Sequence, residues 1–175
     1  MELIKYVILG IIQGLTEPLP ISSSGHLLIF RELFNTNMFN DLNFEVMVNF
    51  GSFIAILIIF WKDIVRLVTN FFKYLFADKK DKKKYYEDFK YCMLIVVGSI
   101  PVGIIGLIFK DKIEAFASVK EVGFALLITA LALFIVKNSK GKKKDNEITY
   151  KDAIIIGLFQ MCALLPGLSR SGMVL

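Results

Sequence analysis

Five long apolar stretches, separated by charged blocks, run through the 175 residues of the chain. They cover about 3–34, 44–61, 91–109, 115–136 and 153–175. The middle three are each close to the ~20 residues an α-helix needs to cross a bilayer. No stretch alternates apolar and polar positions as a half-buried strand does. The pattern predicts an all-α fold, a polytopic bundle of transmembrane helices forming one integral membrane domain over 1–175. Pro101 predicts a kink in the third stretch, because proline removes a helical hydrogen bond and crowds the preceding turn.

The first and last stretches are broken. Pro18, Pro20 and Ser22-Ser23-Ser24-Gly25 interrupt the first, and Pro166-Gly167 with Ser169-Arg170-Ser171-Gly172 interrupt the last. Backbone that leaves helical geometry at membrane depth is tolerated only where protein or a water-filled cavity receives its amides and carbonyls. These stretches therefore read as broken or re-entrant helices, and the pattern leaves open whether 3–34 spans or re-enters.

Composition agrees with a membrane chain: 55% of residues are hydrophobic, 16 are Phe, and the mean hydropathy is +0.61. The net charge is +5, but its placement excludes nucleic acid as a partner. Fifteen of the 21 Lys and Arg residues fall in 62–90 and 137–151, between apolar stretches and beside no nucleic-acid-reading motif. Basic segments flanking apolar spans mark the cytoplasmic side and face anionic headgroups. Both segments read as basic cytoplasmic loops, with Trp61, Lys62 and Arg66 as interfacial anchors. The connector Asn35–Asn43, which has no Lys or Arg, then lies outside. Cys92 and Cys162 stand far apart in apolar sequence, without metal-ligand spacing, and read as inert core thiols. The N-terminus lacks the basic region and cleavage site of a signal peptide.

The two broken stretches resemble each other. At an offset of 147 residues (Ser22 onto Ser169), Gly10 meets Gly157, Gln13 meets Gln160, Ser24 meets Ser171 and Gly25 meets Gly172. The charge pattern makes the last stretch enter from inside and the first from outside. The reading is an inverted-topology repeat, with a first copy over about 1–136 and the start of a second over about 150–175. Broken helices of such repeats meet near mid-membrane and build binding sites there. The copies differ chemically: Glu17, Ser23 and His26 stand opposite Leu164, Arg170 and Met173.

Chemistry concentrates in these breaks. Glu17 is a carboxylate in an apolar stretch, a functional candidate by default, and Gln13 lies one turn away on the same face. His26 is the only histidine and suits proton transfer. Arg170 is the only charged residue after Asp152, and its guanidinium matches phosphate oxygens. Ser169 and Ser171 offer further donors to phosphate, and Ser22, Ser23 and Ser24 are open as phosphate ligands, helix caps or a nucleophile, with Ser23 or a water as the attacking group. Glu45, Asn49 and Ser52 share a helix face that either lines the same cavity or, at Glu45, sits at the outer headgroup boundary. An arginine for phosphate, a carboxylate able to hold a divalent cation, and a base suit phosphoryl transfer from a lipid. The residues alone fit a transporter or flippase of a lipid phosphate nearly as well.

The stretch from Gly10 to His26, GIIQGLTEPLPISSSGH, resembles the first signature of the undecaprenyl-diphosphate phosphatases, the bacitracin-resistance family. Pro166-Gly-Leu-Ser-Arg-Ser-Gly172 resembles their second, and Phe44–Gly51 and Ser99–Leu107 are similar to further family segments. The resemblance implies a hydrolase of the bacterial plasma membrane, with an outward-facing site and a Mg²⁺ or Ca²⁺ cofactor. It would remove the terminal phosphate of undecaprenyl diphosphate, recycling the carrier lipid of cell-wall synthesis and conferring bacitracin resistance. By position it implies Glu17, Ser23, His26 and Arg170 as catalytic residues, Glu17 and Gln13 at the metal, and Ser22, Ser24, Ser169, Arg170 and Ser171 at the phosphate. Gln13 is the amide form of its motif position, Pro18 stands where Phe is usual, and Val174 stands where a Thr is expected. Members continue with several more helices, so the chain is expected to be a C-terminally shortened member. Such a chain could act as a homodimer or be inactive by itself.

Overall fold

The computed structural model describes residues 2–34, 42–115, 118–141 and 143–175. Among them the fold is all-helical. Helix α1 (Glu2–Thr16) and α2 (Ser23–Leu33) come from the first stretch, α3 (Leu42–Ile59) from the second, and α4 is Trp61–Phe76. Helix α5 (Lys79–Ala115) contains the third stretch, α6 (Val119–Val136) the fourth, and α7 (Tyr150–Cys162) and α8 (Arg170–Val174) the last. Helices α5, over Lys79–Phe109, and α6 are long and apolar enough to cross a membrane, and α3 with α4 makes a third candidate span bent by 75°. Large apolar side chains point outward throughout, as lipid-facing surface requires. Leu107 and Phe134, for example, are 85% and 65% exposed.

Helix α2 folds back along α1. Leu9 and Leu27 are buried together, with Tyr6, Phe30, Phe34 and Val48 packed around them. Lys5, near the start of α1, donates from Nζ to the Phe34 carbonyl at the end of α2, at 3.1 Å. The first stretch is thus a hairpin whose two ends lie together. The connector 35–41 lies outside the described residues.

Three sequence expectations change. The segment 62–90 is not a loop: α4 occupies Trp61–Phe76, and α5 begins at Lys79. Its lysines alternate with apolar residues at helical spacing, so the charge conceals an amphipathic helix. Helix α5 runs through Pro101. The kink in α5 falls at Phe109 (φ −110°, ψ 15°), about two turns past the proline. The cysteines are both free, and Cys162 is exposed on α7 rather than in a core.

Helix starts are set by local chemistry. Ser118 and Glu121 form a reciprocal capping box at α6, and Thr149 and Asp152 form one at α7. Lys143 reaches both Asp152 carboxylate oxygens at 2.7 Å and holds that carboxyl well below its usual range.

Helices α5 and α7 pack through glycine. A Cβ on Gly157 would clash with the Gly98 carbonyl oxygen and lie 3.1 Å from Pro101 Cγ. Gly10, its counterpart in the repeat, faces open space. Gly10→Ala is expected to be neutral or stabilising by up to about 1 kcal/mol, the gain in helix propensity. Gly157→Ala is expected to cost about 1–3 kcal/mol through overpacking, despite the same propensity gain. Thermal unfolding of the two variants in detergent checks the contrast.

Candidate active site

Each break folds around a serine cap. Ser22 caps α2: its Oγ accepts from the Gly25 amide at 3.4 Å and lies 3.5 Å from Ser24 Oγ. Ser169 caps α8 with the same pattern, accepting from the Gly172 amide at 3.1 Å and lying 3.2 Å from Ser171 Oγ. The next amide bonds the cap carbonyl in both places, His26 to Ser22 at 3.2 Å and Met173 to Ser169 at 3.0 Å. One Ser-x-Ser-Gly sequence thus makes one set of bonds twice. The backbones differ at the cap, since Ser22 is left-handed (φ 66°) and Ser169 extended (φ −77°).

The two turns touch. A Cβ on Gly25 would lie 3.1 Å from Gly167 Cα, and one on Gly172 would lie 3.0 Å from the Pro20 carbonyl. Both distances are tighter than most Cβ contacts, so glycine eases this approach. Between the turns is a cavity of about 550 Å³. Glu17, Ser22, Ser23 and Ser24 line it from the first turn, and Pro166, Ser169, Arg170 and Ser171 from the second. The residues that the sequence singled out on separate stretches thus meet on one surface.

Glu17 is the hub on the first side. Its Oε2 accepts from Gln13 Nε2 at 2.8 Å and from the Ser23 hydroxyl in a short bond. The second Gln13 amide proton goes to Asn49 Oδ1 on α3, at 2.7 Å. Gln13 is buried, so this amide clamps the carboxylate from below. Gln13 Oε1 is buried and has no partner among the described residues. On the second side Arg170 is exposed and forms no hydrogen bond or ion pair among the described residues. An uncompensated guanidinium facing a carboxylate and hydroxyls across a cavity suits an anion.

Other expected site residues stand differently. His26 and Gln13 do not line this cavity. His26 Nδ1 lies 2.9 Å from the Ser22 carbonyl, which can only accept, so Nδ1 carries the proton and holds the ring to the turn. Asn49 reaches the site through Gln13. Ser52 back-bonds the Val48 carbonyl of its own helix and lines a second, apolar cavity of about 410 Å³ that also reaches Glu17. The Glu45 side chain lies outside the described residues.

Thr129 on α6 was not legible as a site residue. It is buried, and its hydroxyl donates to the Gly167 carbonyl at 3.0 Å while accepting from the Ser169 amide at 3.1 Å. That single hydroxyl pins the second turn to a spanning helix. Its sequence context, an apolar helix, offers no signal beyond one polar residue among Leu, Ile and Ala. Thr129→Val is expected to leave an amide and a carbonyl buried without partners, at about 1–3 kcal/mol for each unpaired group. Thr129→Ser is expected to restore most of the loss, read as the midpoint of thermal unfolding.

Residues 6–175 match the model of the family described as "Bacitracin resistance protein BacA". The chain belongs to the BacA family. It is 47% identical over 171 residues to "Undecaprenyl-diphosphatase 2" of Bacillus thuringiensis (strain Al Hakam), an alignment covering 97% of this chain and 62% of that relative. It is 46% identical to "Undecaprenyl-diphosphatase" of Oceanobacillus iheyensis, covering 99% of this chain and 62% of that protein. The "Undecaprenyl-diphosphatase" of Acholeplasma laidlawii is 44% identical, with 100% of this chain and 64% of that protein covered. The chain thus spans under two thirds of the length of these BacA-family relatives.

Proposed function

We propose that this chain carries the active site of a phosphatase that cleaves the terminal phosphate from undecaprenyl diphosphate. The products would be undecaprenyl phosphate and inorganic phosphate. Such a reaction recycles the carrier lipid of cell-wall synthesis and underlies bacitracin resistance. The observation that carries this reading is the single cavity with Glu17 and Ser23 on one wall and Arg170 on the other. Membership of the BacA family and the names of its relatives support it.

In this mechanism Arg170, Ser169 and Ser171 hold the diphosphate, and Ser22 and Ser24 hold the terminal group. Ser23 Oγ, already donating to Glu17 Oε2, attacks the terminal phosphorus and passes its proton to that carboxylate. The bond to the bridging oxygen breaks, and undecaprenyl phosphate leaves. Water then attacks the phosphoserine and keeps its protons on the released inorganic phosphate, while Glu17 returns its proton to Ser23 Oγ, restoring both side chains. Glu17 takes the base's role because the hydroxyl is bonded to it. His26, bonded to the Ser22 carbonyl, acts through the turn.

The donor set bears on the cation. Among the described residues no three acidic, His or Cys side chains cluster to form a metal cage. Glu17's carboxylate would hold a Mg²⁺ or Ca²⁺ at the cavity wall, with Gln13, buried behind it, fixing that carboxylate. Bound there, the cation would neutralise charge on the diphosphate. The protein would sit in the bacterial plasma membrane with this cavity facing outward, acting on the lipid as a monomer or a homodimer.

The test is phosphate release from undecaprenyl diphosphate by the purified chain in detergent, with Mg²⁺ or Ca²⁺ and with EDTA. Metal-dependent release lost in Ser23→Ala is the expected result. Undiminished turnover by Ser23→Ala, with the fold intact, would remove the serine nucleophile from the mechanism.

A further inference from the structure

Helix α4 has two apolar faces, and the fold uses one. Ile64 and Leu67 face α5, as do Phe71 and Tyr74, which stack on Phe89 with ring centroids 5.2 and 4.1 Å apart. Asn70 Nδ2 adds a bond to Asp88 at 2.6 Å. The other face carries Trp61, Val65, Val68, Phe72 and Leu75, at successive spacings of four and three residues, which is one continuous stripe. Each of them is at least 43% exposed. Lys62 and Lys73 run along the polar edge of this stripe, with Arg66 beside them, paired to Asp63 at 3.4 Å. A two-residue turn then leads to Lys79, Lys80, Lys82, Lys83 and Lys84 at the start of α5. Helix α4 is bent by 75° from the apolar α3 and runs antiparallel beside the charged first half of α5, next to the end of that span.

We propose that α4 and the start of α5 form an interfacial element that lies on, and selects, anionic lipid. The apolar stripe enters the headgroup–acyl boundary, and the lysine row and cluster bind acidic headgroups beside it. An apolar stripe with a lysine edge on a helix turned off a span matches a lipid boundary on both counts, greasy depth and negative charge. A water-exposed role would leave five large apolar side chains solvated. This inference is independent of the phosphatase chemistry.

Trp61 is the chain's single tryptophan and sits at the head of the stripe, so its fluorescence reports directly. The protein is reconstituted into phosphatidylcholine vesicles containing brominated phosphatidylcholine or brominated phosphatidylglycerol. A second protein, W61F/F72W, carries the indole about three turns further along. Both indoles are expected to be quenched by bromolipid and shielded from aqueous iodide. Brominated phosphatidylglycerol is expected to be preferred on the order of fivefold per engaged lysine at low salt. That preference should fall in Lys62→Gln/Lys73→Gln and at high salt. Equal quenching by the two lipids would overturn the anionic selectivity. An indole at position 72 open to iodide would show α4 projecting into water. An indole shielded from both quenchers would show the stripe covered by protein, such as a second copy. Either of these last two results sinks the proposal.

Discussion

Arg170→Ala is expected to lower phosphate release at least ~10³-fold, the scale at which an arginine stabilises a transferring phosphoryl group. The fold should survive. Arg170 is exposed and has no partner among the described residues, so its removal breaks no internal bond. Exposed substitutions of that kind stay within about 0.5 kcal/mol. Arg170→Lys keeps the charge but loses the planar fork, and is expected to recover only part of the rate. The measurement is the initial rate of phosphate release together with the unfolding midpoint of each variant. Full turnover by the Ala variant would show that the guanidinium does not hold the phosphate. A collapsed midpoint would show instead a structural role that the exposed position does not suggest.

Gly167→Ala is expected to be the most damaging single-methyl change in the chain. Gly167 has φ +95°, a conformation that costs an L-residue roughly 1–2 kcal/mol. The new Cβ would also lie 2.7 Å from both Ala125 Cβ and the Val122 carbonyl oxygen, neither of which is a flexible side-chain end. Overpacking adds about 1–3 kcal/mol, for a total of about 2–5 kcal/mol. Function should fall further than stability. The Gly167 carbonyl is where Thr129 anchors the turn, and Ser169, Arg170 and Ser171 follow directly. Thermal unfolding and phosphate release, measured beside Gly14→Ala, which faces open space, separate the local clash from a general loss of glycine. An unfolding midpoint equal to that of Gly14→Ala would contradict the close packing of the second turn on α6.

The charged segment 62–90 shows where sequence reading misled. Nine of its residues are Lys or Arg, and counting charge alone makes it a loop. Its apolar residues nevertheless recur at helical spacing, and α4 packs one set of them on α5. The breaks show the reverse. Pro18, Pro20 and Pro166 marked non-helical backbone in apolar stretches, past the ends of α1 and α7, whereas the two Ser-x-Ser-Gly runs open the helices that follow, α2 and α8. His26 was placed at the chemistry because it follows the serines in sequence. One helical turn carries its ring back onto the Ser22 carbonyl and leaves it off the cavity wall.

The sequence by itself determined the membrane class, the all-helical character, the two interrupted stretches and most residues of the cavity. It could do so because helix length, hydrophobic spacing and the cost of charge in lipid are properties of local sequence. Only the tertiary structure decided that the first stretch is a hairpin, that Glu17 binds Ser23, and that Thr129 holds the second turn. The last depends on contacts between residues far apart in the chain, and the first two on how the turn between α1 and α2 folds. Thr129 and Ser169 are 40 positions apart and Gln13 and Asn49 are 36 apart, and only the tertiary fold brings each pair into hydrogen-bonding contact. No spacing within either segment encodes which partner the other will bring.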